Sequence, residues 1–193
     1  TLALPKVRSP YLVFEAHFDD EISHDALLNW YWEYPKNPLD EEGMDSGVRR
    51  LPALGLGTER DERFEARGLR AVRSATASNP VLAAGFGERR SQGWETRDIL
   101  AHVLPALRRI PGVRVRLLGP VPEFTEATDA MIEVKVTEGN SRDWFGLGIA
   151  IKVNNWTVPF AQVFEALDRN QDRILLGNGT YFSLNRPEFS ALR

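Results

Sequence analysis

The 193-residue sequence contains no cysteine and only three histidines, His17, His24 and His102. Without cysteine there are no disulfides, thiolate-bound zinc, iron–sulfur clusters or thiol catalysis. Three histidines leave little material for an imidazole-rich metal site. No apolar run approaches the roughly 20 residues that span a bilayer, and the start of the chain lacks a charged segment followed by a hydrophobic one. A basic excess is also missing. The formal net charge is -3 and the isoelectric point near 5.7, which argues against a general nucleic-acid binder. No G-x-x-x-x-G-K-[ST] phosphate loop and no G-x-S-x-G elbow occurs. Gly55-Leu56-Gly57 and Gly85-Phe86-Gly87 lack the third glycine of a dinucleotide loop. What remains, 42% hydrophobic and 26% charged residues, is the composition of a cytoplasmic globular protein able to bury a sizeable core.

The pattern of apolar residues predicts an α+β class with mostly antiparallel sheet, two longer helices and a C-terminal hairpin–helix–hairpin lobe. Two alternating runs over residues 10–34 flank the polar turn Phe18-Asp19-Asp20-Glu21 and read as a strand pair. Residues 35–57 look like a long irregular connection, and residues 78–93 look like a loop. A helix is expected over residues 58–77, opened by the capping-box pattern of Thr58 to Asp61. A second helix is expected over residues 95–110, bent at Pro105. Strands follow at 113–118, 131–137 and 144–153, the last returning through Asn154-Asn155 to Trp156-Thr157-Val158. A short helix from Pro159 should bury Phe160, Val163, Phe164 and Leu167. Residues 173–184 form another hairpin around Gly177-Asn178-Gly179. The chain begins without methionine and ends in Asn185-Arg186-Pro187-Glu188-Phe189, an opening helix, which predicts a fragment of a longer protein.

Several residue sets could carry function. Arg63, Arg67, Arg70 and Arg73 recur at helical spacing, so Arg67, Arg70 and Arg73 could follow a phosphate backbone together with Arg114 and Arg116. Glu59, Glu62 and Glu65 are interleaved with them, and intrahelical ion pairs on a solvated face are the expected arrangement. Trp30, Tyr31, Trp32 and Tyr34 could form a stacking platform. Core or cross-strand packing is the simpler role, with Tyr31 and Tyr34 the members expected to be exposed. Ala16-His17-Phe18-Asp19-Asp20-Glu21 resembles the A-H-P-D-D-E motif of zinc-dependent N-acetylglucosaminyl deacetylases. That resemblance implies His17 and Asp20 as zinc ligands and Asp19 as general base. Phe18 stands where that family has proline. The competing reading is a solvated acidic turn between two strands.

The last third carries a broader resemblance. Ser141-Arg142-Asp143-Trp144-Phe145-Gly146-Leu147-Gly148-Ile149 is followed by Val158-Pro159-Phe160-Ala161. After these come Leu175-Leu176-Gly177-Asn178-Gly179-Thr180-Tyr181-Phe182-Ser183-Leu184 and Arg186-Pro187-Glu188-Phe189. These blocks resemble the accessory region that precedes the motor in bacterial Swi/Snf-type superfamily-two helicases. Gly146 and Asn178 stand where that pattern has aspartate. The match covers residues 141–193 well, and the helix 98–107, the segment Gly112–Pro122 and the strand from Leu28 to Tyr34 more loosely. It implies one non-catalytic accessory domain over 1–193, with 1–140 its less recognisable part and 141–193 the helicase-associated lobe. It also implies that ATP and Mg²⁺ belong to a motor C-terminal to Arg193, with no cofactor in this fragment. The partners expected are that motor, docked through Trp144, Phe160, Tyr181 and Phe182, and double-stranded DNA. No membrane is expected.

Overall fold

The computed structural model describes residues 9–20, 24–35, 47–57, 60–128, 130–136, 147–153, 156–177 and 179–190. It bears out the α+β class: helices combine with sheets that are mostly antiparallel, with some parallel pairing.

The predicted strand pair forms β1 (Tyr11–His17) and β2 (Ala26–Pro35). They run antiparallel with Phe14 opposite Trp30 and Leu12 opposite Trp32. β2 also pairs with two strands from segments whose composition reads as loop, β3 (Val48–Pro52) and β4 (Arg89–Ser91). β5 (Val113–Leu118) lies parallel to β1, giving the order β3-β2-β1-β5. A tight passage extends this parallel pair. The Phe18 N–H donates to the Leu118 carbonyl at 2.9 Å. At Gly119, with φ +80°, a Cβ would stand 2.0 Å from the Phe18 carbonyl oxygen. Only glycine fits there.

Strand periodicity then divides the side chains between two faces. Leu12, Phe14, Ala16, Leu28, Trp30 and Trp32 point to one face and are buried there. α1 (Glu62–Thr76) contributes Val72 to that core, and α2 (Pro80–Ala83) contributes Leu82. The second long helix appears as α3 (Trp94–Asp98), a π turn (Ile99–Val103) and α4 (Leu104–Leu107) in direct succession. The bend expected at Pro105 takes the form of this wider turn. Proline has no N–H for the carbonyl four residues back, and one residue earlier the Leu104 N–H already reaches the Ile99 carbonyl. The ring pairs Phe14–Trp30 (4.7 Å between centroids) and Trp30–Phe86 (5.4 Å) bind sheet to loop within the core.

A second compact unit comprises residues 123–193. A three-stranded antiparallel meander is formed by β7 (Ala130–Val136), β8 (Leu147–Val153) and β9 (Trp156–Pro159). β10 (Arg173–Leu175) and β11 (Thr180–Ser183) make the predicted hairpin, and β6 (Thr125–Glu126) joins β11 in parallel. The division at Pro122–Glu123 lies upstream of the 140/141 boundary read from the sequence, because β6 and β7 take their partners from this unit. α5 (Phe160–Asp168) buries Val163 and Ala166. Phe164 was expected on the buried side of α5 but is 58% exposed. It lies about 100° around the helix from Val163. α6 (Pro187–Ser190) opens with proline in its first turn.

Candidate nucleic-acid interface

α1 begins where the capping pattern ends. The Asp61 carboxylate accepts the Phe64 N–H at 3.0 Å, satisfying one of the orphan donors of the first turn. Its inner side is fixed by Val72, Thr76 and Glu65, and by Gly68 against the Trp32 ring. That orientation leaves Arg63, Arg67, Arg70 and Arg73 on the exposed side.

The expected intrahelical ion pairs do not form among the described residues. Glu65 is turned inward instead. Arg60 donates to both of its carboxylate oxygens, the closest contact being 2.9 Å, and both side chains are almost fully buried. The Tyr34 hydroxyl adds a 2.6 Å hydrogen bond to the same carboxylate and accepts the Asp61 N–H. Burial, reinforced by that carboxylate, pushes the Tyr34 phenol up from 10.0 to about 12, although the Asp61 N–H and Arg60 act the other way. The arginines of α1 are thus left without carboxylates among the described residues. Arg67 lies over the Phe64 ring at 6.0 Å and Arg73 over the Phe86 ring at 5.4 Å. Arg70 donates from Nε to the Ala66 carbonyl at 3.2 Å.

Arg114 and Arg116 stand on the other face of the same sheet. Tyr11, Val13 and Glu15 of β1, Tyr31 and Glu33 of β2, and Arg50 of β3 share that face by register. The five arginines singled out from the sequence therefore form two groups, three on α1 and two on the sheet face away from the core. Arg116 grips Glu33 with two parallel hydrogen bonds, 2.7 and 3.0 Å, and donates to the Tyr31 hydroxyl at 2.9 Å. Tyr31 passes the chain on to Glu15 at 2.7 Å. Burial opposes the Arg116 charge, but the Glu33 and Tyr31 hydrogen bonds outweigh it and raise its pKa. The Tyr31 phenol is also raised, first by burial and then by its bond to Glu15. Tyr31, expected to be exposed, is buried, while Tyr34 is half-buried. Neither ring is an open stacking platform, since the Arg50 guanidinium lies over Tyr31 at 4.9 Å and that of Arg49 over Tyr34 at 5.9 Å.

The remaining candidates fall elsewhere. His17, Asp19 and Asp20 are exposed around the turn after β1. Among the described residues no group of three or more His, Asp or Glu is placed to hold a metal ion. His102 pairs with Asp98 one helical turn away, at 2.8 Å. Phe182 is fully buried in the core of the second unit, and Tyr181, nearly as buried, points to the other face of β11. Phe160 is half-buried against that core, and Trp144 lies outside the described residues. Arg186, from the last block of the resemblance, donates to the Ala127 and Thr128 carbonyls. Phe189 stacks on Phe182 at 5.8 Å between centroids. Arg50 and Glu33 were missed as functional candidates because their partners are separated from them by up to 83 residues.

Comparison with family models, with curated proteins and with solved structures finds no match for this chain.

Proposed function

We propose that the chain is a non-catalytic accessory domain of a Swi/Snf-type ATP-dependent DNA translocase, contacting double-stranded DNA through α1 while the second unit docks or regulates the motor. The observation that carries the DNA part is the stripe of exposed arginines on α1 with no carboxylate partner among the described residues. From Arg63 to Arg73 the stripe runs about 15 Å along the helix, enough to meet several phosphates of one strand. Supporting the accessory part, the well-matched segments from Leu147 onward lie in one compact unit, where Arg186 bonds the Ala127 and Thr128 carbonyls and Phe189 packs on Phe182. In this reading ATP and Mg²⁺ are bound by the motor, and the protein is cytoplasmic. No helix among the described residues is long and apolar enough to cross a membrane.

Fluorescence anisotropy with a labelled duplex of about 20 base pairs tests the reading through its salt dependence. The triple variant R67A/R70A/R73A should bind more weakly and reduce the slope of log affinity against log salt by about 3, one unit for each phosphate that an arginine no longer neutralises. A wild-type chain with no binding even at low salt would remove the DNA role.

A further inference from the structure

On the sheet face opposite the core, three guanidiniums converge on the single buried carboxylate of Glu33. They are not equivalent. Arg116 occupies both Glu33 oxygens at hydrogen-bonding distance and spends a further contact on Tyr31. Arg50 Nε stands 3.5 Å from Glu33 and Arg114 Nη1 3.8 Å, at the limit of or beyond hydrogen-bond length. Both remain substantially exposed, their side chains at 61% and 47%. Each lies over a tyrosine ring, Arg50 over Tyr31 at 4.9 Å and Arg114 over Tyr11 at 3.4 Å from the centroid. Apart from Glu33 at these long distances, no acceptor meets either guanidinium among the described residues. Glu15, the other carboxylate of this face, accepts the Tyr31 hydroxyl. Glu33 and Arg114 also line a cleft of about 700 Å³ with Tyr11, Val48 and Phe64, a volume in the range that holds small organic molecules.

We propose that Arg50 and Arg114 form a seat for a phosphate group, with Arg116 and Glu33 as its positioning base and the cleft taking the organic part of a phosphate ester. Planar forks that present paired donors match phosphate geometry, and the Arg116–Glu33 pair neutralises the carboxylate that would otherwise repel the ligand. The two guanidiniums of the seat stand on the opposite side of the sheet from α1, although α1 lends Phe64, the ring under Arg67, to the cleft.

Calorimetric titration of the full chain at low salt with adenosine 5′-monophosphate, and separately with inorganic phosphate, tests it. Both probes should bind, and R50A/R114A should lose at least about tenfold in affinity, since two charge-assisted hydrogen bonds disappear. R70A/R73A, whose contacts are the Ala66 carbonyl and the Phe86 ring outside the cleft, should leave both affinities unchanged. Tighter binding of the nucleotide identifies an ester that uses the cleft, and equal binding identifies free phosphate; either supports the seat. In the unaltered protein, the arginine Nε–H resonances of Arg50 and Arg114 should shift on addition of the nucleotide, a readout that needs no variant. Failure of the wild-type chain to bind either probe at millimolar concentration, or unchanged affinity in R50A/R114A, overturns the proposal.

Discussion

Gly68 sits in the middle of α1, where glycine ordinarily costs about 1 kcal/mol relative to alanine. Here the sign should reverse. A Cβ at this position would stand 2.9 Å from Cη2 of Trp32, a fully buried ring that also donates through Nε1 to the Ala53 carbonyl. We expect Gly68→Ala to lower stability by about 1–3 kcal/mol, the range for overpacking a filled core. Urea unfolding midpoints would measure it, and a gain in stability would mean that Trp32 moves aside without penalty. Tyr34 gives a second prediction at this scale. Its folded pKa of about 12 lies above the unfolded 10.0, so the folded chain keeps a proton that the unfolded chain releases. The resulting stability is fully present below pH 10.0 and is lost as pH rises through about 12. Thermal melts of wild type should therefore fall more steeply across this window than those of Tyr34→Phe; parallel curves would refute the linkage. That Trp30 and Trp32 face the core was legible in strand alternation. The exposure expected of Tyr31 and Tyr34 was not met, because Tyr31 is buried and Tyr34 packs against the core. The burial of Glu33 was not legible. Its cationic partners come from β3 and β5, and no local pattern announces them.

Among the elements, α1 is tied to the sheet by polar as well as apolar contacts, through a buried ion pair at its start that bonds Tyr34 of β2. Arg60 and Glu65 are 5% and 6% exposed in their side chains. Arg60 further donates to the Pro52 carbonyl at the end of β3. Removing one partner strands a charge that has already lost its water. Glu65→Ala is therefore expected to cost about 3–5 kcal/mol, the range for a broken buried pair. Glu62→Ala, on an exposed position of the same turn, should change stability by less than about 0.5 kcal/mol. Chemical denaturation of the two variants side by side checks the contrast. The elements that sequence reasoning located, β1, β2, β5, α1 and the β10–β11 hairpin, announce themselves by their own periodicity or turn chemistry. β3 and β4 do not. Val48-Arg49-Arg50-Leu51-Pro52 and Arg89-Arg90-Ser91 are short and charged, and only the edge of β2 opposite β1, which they share end to end, makes them strands. The same blindness explains why the sheet face was only half found. Arg114 and Arg116 lie on a recognisable strand, whereas Arg50 lies on one that tertiary pairing creates.

At the scale of the whole molecule, two cores are joined through an exposed stretch, Gly119 to Val121, just before the division at Pro122–Glu123. Limited proteolysis should cut there and leave two resistant pieces, since exposed connections between compact units are preferred cleavage sites. Resistance at this stretch, with cleavage confined to other loops, would argue that the units behave as one. The broad class and the identity of the second lobe's strands were readable because their alternation is strict. The boundary was not readable, because β6 is two residues long and its partner β11 lies more than 50 positions further along the chain.

The parallel contact between β1 and β5 sets the order of events when the chain is made. A ribosome delivers β1 first, and β2 can zip onto one of its edges at once. The other edge waits for Val113 to Leu118, by which time α1 to α4 have already emerged. Until then a row of amide and carbonyl groups beside Phe14 and Val13 is open to any passing strand, so crowded or rapid synthesis should send part of the newborn protein into aggregates before its last ladder closes.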